Sequence, residues 1–257
     1  MSEPVEVATP QPEDGFGAGL AARELSADAY WNWFDLAVFF LLAPPSMVAG
    51  FALVNLVYTL FPGSLPTRAA MLLPAQFTAY GLWFAGLYLL LKLRYGRPFW
   101  RSLGWRIPES GLVRSFLHGP TLAVVIGVLG YVLKTPDIQM PIKDLMTDAT
   151  SIALVGIFAT TLGPAFEELA FRGFLLPLAA KSIRPWPAIV ATALPFSALH
   201  GPQYAWSWRH LLLLTLASVA FGWVRYRSAS TAAAAFTHAG YNLTFLIAYL
   251  VQRGSGI

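Results

Sequence analysis

Residues 151–180 read SIALVGIFATTLGPAFEELAFRGFLLPLAA, an apolar stretch interrupted by three charges, Glu167, Glu168 and Arg172. A helix of this length runs about 45 Å at 1.5 Å per residue, against a hydrocarbon core of about 30 Å. The stretch is therefore too long for one straight span. If the span runs over 157–179, Glu167 lies about 15 Å deep. If it starts at Ser151, Glu167 sits near the inner edge and a polar cluster is harder to assemble. A charge at mid-bilayer costs on the order of 3 kcal/mol, so such residues face a protein interior or a water-filled cavity and are functional candidates by default. Glu168 and Arg172 are i, i+4 and predict an ion pair on one face, while Glu167 points about 100° away. The plainer reading is a loop ion pair at the membrane edge, which Gly163-Pro164 allows. The apolar run that continues past Arg172 argues against it.

The rest of the chain has the same character. Of 257 residues, 56% are hydrophobic and 12% charged, with a mean hydropathy of +0.58. Soluble domains carry about 25% charged residues, so a soluble enzyme and a disordered chain are both excluded as classes. With no cysteine, disulfides, thiolate metal sites and a cysteine nucleophile drop out. The formal charge of +4 does not indicate nucleic acid, because the basic residues cluster at the ends of apolar segments, where they anchor spans. The expected class is an all-α polytopic integral membrane protein.

Residues 1–33 form a polar tail with six acids and one arginine, in part disordered. Over 19–33 an interfacial helix is expected, with Trp31, Trp33 and Phe34 suited to the headgroup layer. Residues 34–257 form the transmembrane domain. Its seven apolar segments are roughly 36–60, 69–93, 112–133, 151–180, 186–200, 210–224 and 230–251. Pro44-Pro45 predicts a break in the first. The fifth, interrupted by Pro195, and the sixth are short; they extend into their flanks or are re-entrant. Placing the loop after segment two in the cytoplasm puts twelve basic residues inside (Arg23, Lys92, Arg94, Arg97, Arg101, Arg106, Arg114, Arg172, Lys181, Arg184, Arg225, Arg227). Five lie outside (Arg68, Lys134, Lys143, Arg209, Arg253). This predicts a cytoplasmic N-terminus and a C-terminus on the opposite side.

Acidic residues end at Glu168; none follows in the remaining 89 residues. The polar groups that do follow fall at helical spacing. His200 closes the fifth segment with Phe196 one turn earlier, and His238 and Asn242 are i, i+4 in the seventh. A lone histidine in an apolar helix is more often a hydrogen-bonded packing residue, but four polar side chains on three segments are less easily dismissed. By rise per residue, His238 lies about 12 Å from the inner boundary and His200 about 21 Å. His118 and His210 lie near segment ends and read as interface residues.

In order along the chain, Glu167-Glu168-Leu169-Ala170-Phe171-Arg172-Gly173, then Phe196 to His200, then His238 to Asn242, resemble the motifs EExxxR, FxxxH and HxxxN. These belong to the CPBP family of intramembrane proteases (CAAX-processing and bacteriocin-processing proteases, also called Abi proteins). The resemblance covers about residues 150–245. It implies hydrolysis of peptide bonds in the membrane plane. Glu167 would be the general base on a water shared with His200, His238 and Asn242 would stabilise the oxyanion, and Glu168 and Arg172 would orient Glu167. Phe196 completes the supporting set. A carboxylate in an apolar site has its pKa raised toward neutrality, which suits a base that takes and returns a proton. Glu167, His200 and His238 are also a His2Glu set, the ligand complement of several zinc sites, so a metalloendopeptidase holding a divalent metal such as zinc is the alternative. HExxH is absent.

The implied partners are the lipid bilayer and a peptide or membrane-protein substrate: prenylated CAAX-type tails, leader peptides or membrane proteins. Two other classes compete. One is a non-proteolytic scaffold or bacteriocin-immunity-type protein of the same fold. The other is a transporter or proton relay, which needs a polar path to both surfaces where the outer ends of these segments are apolar.

Overall fold

The structure, a computed structural model, describes residues 29–61, 63 and 67–254, and every regular element among them is helical. The long helices are α1 (Trp33–Leu60), α2 (Arg68–Tyr95), α4 (Leu112–Val132), α5 (Ala149–Ser182), α6 (Pro185–Leu199), α7 (Trp208–Ser228) and α8 (Thr231–Gly254). A single turn, α3 (Phe99–Ser102), lies between α2 and α4. Helices α1, α4, α5 and α8 have the length and hydropathy to cross a membrane, and α6 is a shorter apolar helix. Outward-facing Val48, Val113 and Tyr131 are more than two-thirds exposed, as expected of surfaces that face lipid rather than water. The chain is an all-helical polytopic membrane protein, and the seven apolar segments fall on the seven long helices in order. The sixth segment extends into its flanks at both ends. The fifth stays short, with Pro195 inside the helix.

Local chemistry sets the helix ends. Asn32 and Asp35 form a capping box at the start of α1, the Asn32 side chain accepting from Phe34 N and Asp35 N while Asp35 Oδ2 accepts from Asn32 N. The helix breaks at Leu42, just before Pro44-Pro45, which cannot donate backbone hydrogen bonds. Thr67 caps α2 and Asp148 caps α5. Ser151 Oγ and Thr67 Oγ1 are hydrogen-bonded (3.0 Å), tying the two capped ends together.

Small residues set the crossings. A Cβ on Gly50 would sit 2.6 Å from Ala75 O, so α1 and α2 touch backbone to backbone. Helices α4 and α8 cross at Gly119 and Gly240, where a side chain on either would overlap the other helix's backbone. Thr237 Oγ1 donates to Ser115 O (2.8 Å) at this crossing. His238 and Asn242 flank Gly240, so the closest contact in this part of the bundle holds their backbone.

Helix α5 is central, with every residue from Leu169 to Ala180 buried. It runs unbroken from Ala149 to Ser182. Two π-helical turns, Phe158–Leu162 and Leu169–Leu175, absorb its length. A proline follows each: Pro164 and Pro177. An in-register proline clashes with the carbonyl four residues back, and a wider turn relieves that clash. The Gly163-Pro164 pair therefore lies inside a helix, and the membrane-edge loop is not formed.

The interfacial helix expected over 19–33 lies mostly outside the described residues, and Ala29–Asn32 are not helical. Trp33 and Phe34 are exposed, as a headgroup-facing pair should be. Trp31 is not: it is 1% exposed, stacks on Phe174 at 5.0 Å and donates its indole N–H to Phe174 O (3.0 Å). The indole finds a partner in the second π turn, and a buried tryptophan with a satisfied N–H outcompetes an interfacial one. Asp35, fully buried, accepts from Tyr95 Oη (2.5 Å) and pairs with Arg94 (2.8 Å). Lys181 Nζ donates to Ala29 O (3.3 Å), and this segment is thereby fixed to the end of α5.

Candidate active site

The two adjacent carboxylates of α5 face different surroundings. Glu168 is fully buried and Glu167 keeps 27% of its side chain exposed. Arg172 Nη1 donates to Glu168 Oε1 (2.9 Å), the i, i+4 pair that the spacing predicts. Arg172 Nη2 reaches α7, donating to Ser218 O (2.6 Å) and Ser218 Oγ (2.7 Å). The guanidinium lies between two rings, 4.8 Å from the centroid of Phe196 and 5.5 Å from that of Phe221. Desolvated cation–π contacts of this kind contribute up to about 2 kcal/mol. A buried cation thus has an anion, a carbonyl, a hydroxyl and two ring faces around it.

His238 joins this group from α8. Its Nδ1 lies 2.9 Å from Glu168 Oε1, and its ring stacks on Phe221 at 4.5 Å. A carboxylate oxygen accepts, so the hydrogen of this bond sits on Nδ1 and Nε2 is turned toward Glu167. That nitrogen lies 3.9 Å from Glu167 Oε2, too far for a direct hydrogen bond. Glu168 and Arg172 therefore orient His238, whereas the resemblance implies that they orient Glu167. The cluster assembles even though α5 begins at Ala149, because α8 meets α5 beside the second π turn.

His200 and Asn242 are held separately. His200 ends α6, with Nδ1 2.8 Å from Phe196 O and its ring 4.8 Å from that of Phe196. Phe196 also lies 6.0 Å from His238, so this one ring neighbours both imidazoles. Among the described residues His200 makes no ion pair with Glu167. Asn242 Nδ2 donates to Ala159 O (2.8 Å). The first π turn explains that bond. Gly163 N donates five residues back, to Phe158 O, and the next donor in this register is residue 164, a proline without an N–H. Ala159 O is left without its helical partner, and Asn242 supplies one. The carboxamide keeps its second N–H.

Among the described residues no three His, Asp or Glu side chains are arranged to hold a metal ion. Both histidines have the Nδ1 anchoring that metal-bound imidazoles show. Glu167, His200 and His238 nonetheless do not converge, so the His2Glu set does not fit a metal centre in this arrangement, and no chemical step below passes through one.

Several groups at the site escape the motif reading. Ser218 and Phe221 are i, i+3 on α7 and line the Arg172–His238 cluster; their buried spacing with Gly222 and Arg225 was the available signal. Tyr204 sits in the turn after His200, its amide donating to His200 O (3.3 Å). His210, expected as an interface residue, stacks on Tyr204 at 5.2 Å and bonds Ser207 Oγ (3.0 Å). His118 is exposed.

Residues 149–244 match the family model described as Rce1-like, type II CAAX prenyl endopeptidase Rce1-like. No curated protein and no solved structure matches the chain. The matched residues run from the first turn of α5 to the second turn past His238, enclosing the carboxylate pair, both histidines and Asn242. Over this segment the match supports the resemblance to the CPBP family of intramembrane proteases.

Proposed function

We propose that the protein hydrolyses a peptide bond near the end of a prenylated CAAX-type tail, using a water activated by Glu167. The observation that carries this reading is the 3.9 Å separation of Glu167 Oε2 from His238 Nε2. A water can bridge two acceptors at that spacing, donating one proton to each and presenting its lone pair to a carbonyl carbon. Glu167 is the member of the carboxylate pair with neither a cation nor a histidine within hydrogen-bond reach, so it is the one available to take a proton.

The steps follow from the donors and acceptors present. Glu167 takes a proton from the water as its oxygen bonds to the scissile carbonyl carbon, and the carbonyl π pair moves onto oxygen. Glu167 then returns the proton to the leaving nitrogen as the C–N bond breaks. His238, fixed by Glu168, holds the water from the other side. His200, with Nδ1 anchored on Phe196 O, lies beside Phe196 at the edge of the site. Asn242 offers its second N–H to the oxyanion. The basic residues favour a cytoplasmic N-terminus and entry of the substrate tail from the end of the bundle that carries Gly104 and Ser230.

The test is cleavage of a quenched fluorescent peptide with a prenylated CAAX-type end by protein in vesicles. Glu167→Gln should lower the rate by about 10²–10⁴-fold, the usual contribution of a general base, with an unchanged melting temperature. Cleavage by the purified variant at the wild-type rate would refute the assignment.

A further inference from the structure

A groove of about 340 Å³ lies between α1 and α2, within the size range of ligand sites. Its walls are apolar, Phe51 and Val54 from α1 and Met71 and Leu72 from α2, and its polar groups are Asn55 and Arg68. The groove starts at the crossing of the two helices, where Gly50 packs on the backbone of Ala75. Nearer the turn between the helices, Tyr58 Oη donates to Ala70 O (3.0 Å). The spacing of α1 and α2 is therefore set twice along the groove.

Neither polar group is used by the fold. Asn55 lies about 7.5 Å along the helix from the end of α1 at Leu60, so it belongs to an apolar span, yet it is exposed. Polar side chains within a span normally turn toward protein or a water-filled cavity. Among the described residues the Asn55 carboxamide makes no hydrogen bond. Arg68 is the first residue of α2, where the opening turn carries no acid and a cation opposes the helix dipole. It is exposed and, among the described residues, pairs with no carboxylate. Asp148 is tied to this end of the bundle through Ser151 and Thr67, but it accepts from Ser151 and Thr147 instead.

One ligand matches the order of these groups. A phospholipid carries a phosphodiester anion at the headgroup, an ester carbonyl one glycerol deeper, and an acyl chain below that. Arg68 stands at the end of its helix, Asn55 lies deeper, and the apolar walls continue to the crossing. Guanidinium matches phosphate with parallel hydrogen bonds, and a carboxamide N–H can donate to an ester carbonyl. Leu60 and Arg68 lie at the opposite end of the bundle from Gly104 and Ser230, so the groove is away from the entry proposed for the substrate tail. The distribution of basic residues puts this end on the non-cytoplasmic side.

We infer that the groove binds one phospholipid of the non-cytoplasmic leaflet, with its phosphate on Arg68, its ester carbonyl on Asn55 and one acyl chain along Phe51, Val54 and Leu72. The site does not rest on the hydrolytic reading.

The test is native mass spectrometry of the full chain, released from detergent micelles and titrated with dioleoylphosphatidylglycerol. The expected result is one phosphatidylglycerol per chain retained ahead of any other. Arg68→Gln should lower its affinity about tenfold or more, and Asn55→Leu should lower it by a smaller factor. Dioleoylglycerol, which has the chains without the phosphate, should be retained weakly. Arg209→Gln removes an equal charge at the same end of the bundle, where Arg209 bonds Lys134 O (2.9 Å), and should leave the affinity unchanged. An equal loss in Arg209→Gln would reduce the effect to general charge attraction and overturn the site. Wild-type affinity in Arg68→Gln, or tight retention of dioleoylglycerol, would overturn the phosphate contact. Displacement of the lipid by the prenylated reporter peptide would assign the groove to substrate, and a dimer lost in Arg68→Gln would assign it to a second copy; either overturns the proposal. Should Arg68→Gln fail to fold, Asn55→Leu decides the question, and unchanged affinity in it overturns the site.

Discussion

Removing the charge of Arg172 tests whether the buried cluster is one unit. In Arg172→Met the flexible apolar side chain still packs between Phe196 and Phe221, but Glu168 loses the cation it pairs with at 2.9 Å. Glu168 is fully buried and its Oε2 has no hydrogen-bond partner among the described residues, so the remaining charge would rest on one bond to His238. Breaking a buried ion pair by removing one partner costs about 3–5 kcal/mol, and the lost bonds to Ser218 belong to that figure. Glu168→Gln, which strands Arg172, should cost a similar amount. The double variant strands neither charge, so its cost should fall short of the sum by about 2–3 kcal/mol, the upper range for residues in contact. Reversible unfolding in mixed micelles of the wild type, both single variants and the double variant measures that coupling. Strict additivity would show that the 2.9 Å pair is incidental and that the cluster is not a unit.

Other expectations follow from the same geometry. Gly119→Ala places a methyl group against the Thr237 carbonyl and the Tyr241 amide. It should cost about 1–3 kcal/mol by overpacking and lower cleavage by shifting His238, both visible in melting and kinetic assays. Trp31→Phe keeps the stack on Phe174 but deletes its N–H bond, and should cost about 1 kcal/mol of stability. Asp148 at the start of α5 is held below its ordinary carboxyl value, first by the Ser151 hydroxyl and then by the Ser151 amide. A depressed acid stabilises the fold above its unfolded value and loses that contribution as pH falls through the folded one. The melting temperature should therefore drop below about pH 4 in wild type and drop less in Asp148→Asn; equal acid sensitivity would exclude this cap as the cause.

Much of the architecture was legible because the membrane makes few demands and makes them everywhere. A span must be long and apolar, and the segments of α1, α4, α5 and α8 are both. The Glu168–Arg172 pair was legible because four residues make one helical turn. What escaped depended on partners distant in sequence. Nothing in the spacing of residues 238–242 says that His238 bonds a carboxylate 70 residues earlier, or that Asn242 meets Ala159. The signal for the second contact was present in a less obvious form: Pro164 removes a donor, so some other group must satisfy a carbonyl one turn back. Trp31 was misjudged because composition cannot distinguish a tryptophan at the headgroups from one whose N–H has a buried acceptor.

The adjacency of Glu167 and Glu168 gives the site its division of labour. Neighbouring residues on a helix diverge by about 100°, so two carboxylates in sequence cannot share one environment. The one turned toward Arg172 and His238 becomes a fixed anion, and its charge is the reason an arginine can be buried in an apolar bundle. The one turned away keeps 27% of its surface and no cation at bonding distance, and so retains a lone pair for chemistry. Were Glu167 equally enclosed by Arg172, its carboxylate would be too weak a base to take a proton from water. Were Glu168 equally free, His238 would lose the acceptor that fixes its tautomer and directs Nε2 toward Glu167. A single carboxylate cannot do both, and the pair on one turn of α5 allows a reactive acid and the support for its histidine partner to be placed by the same helix.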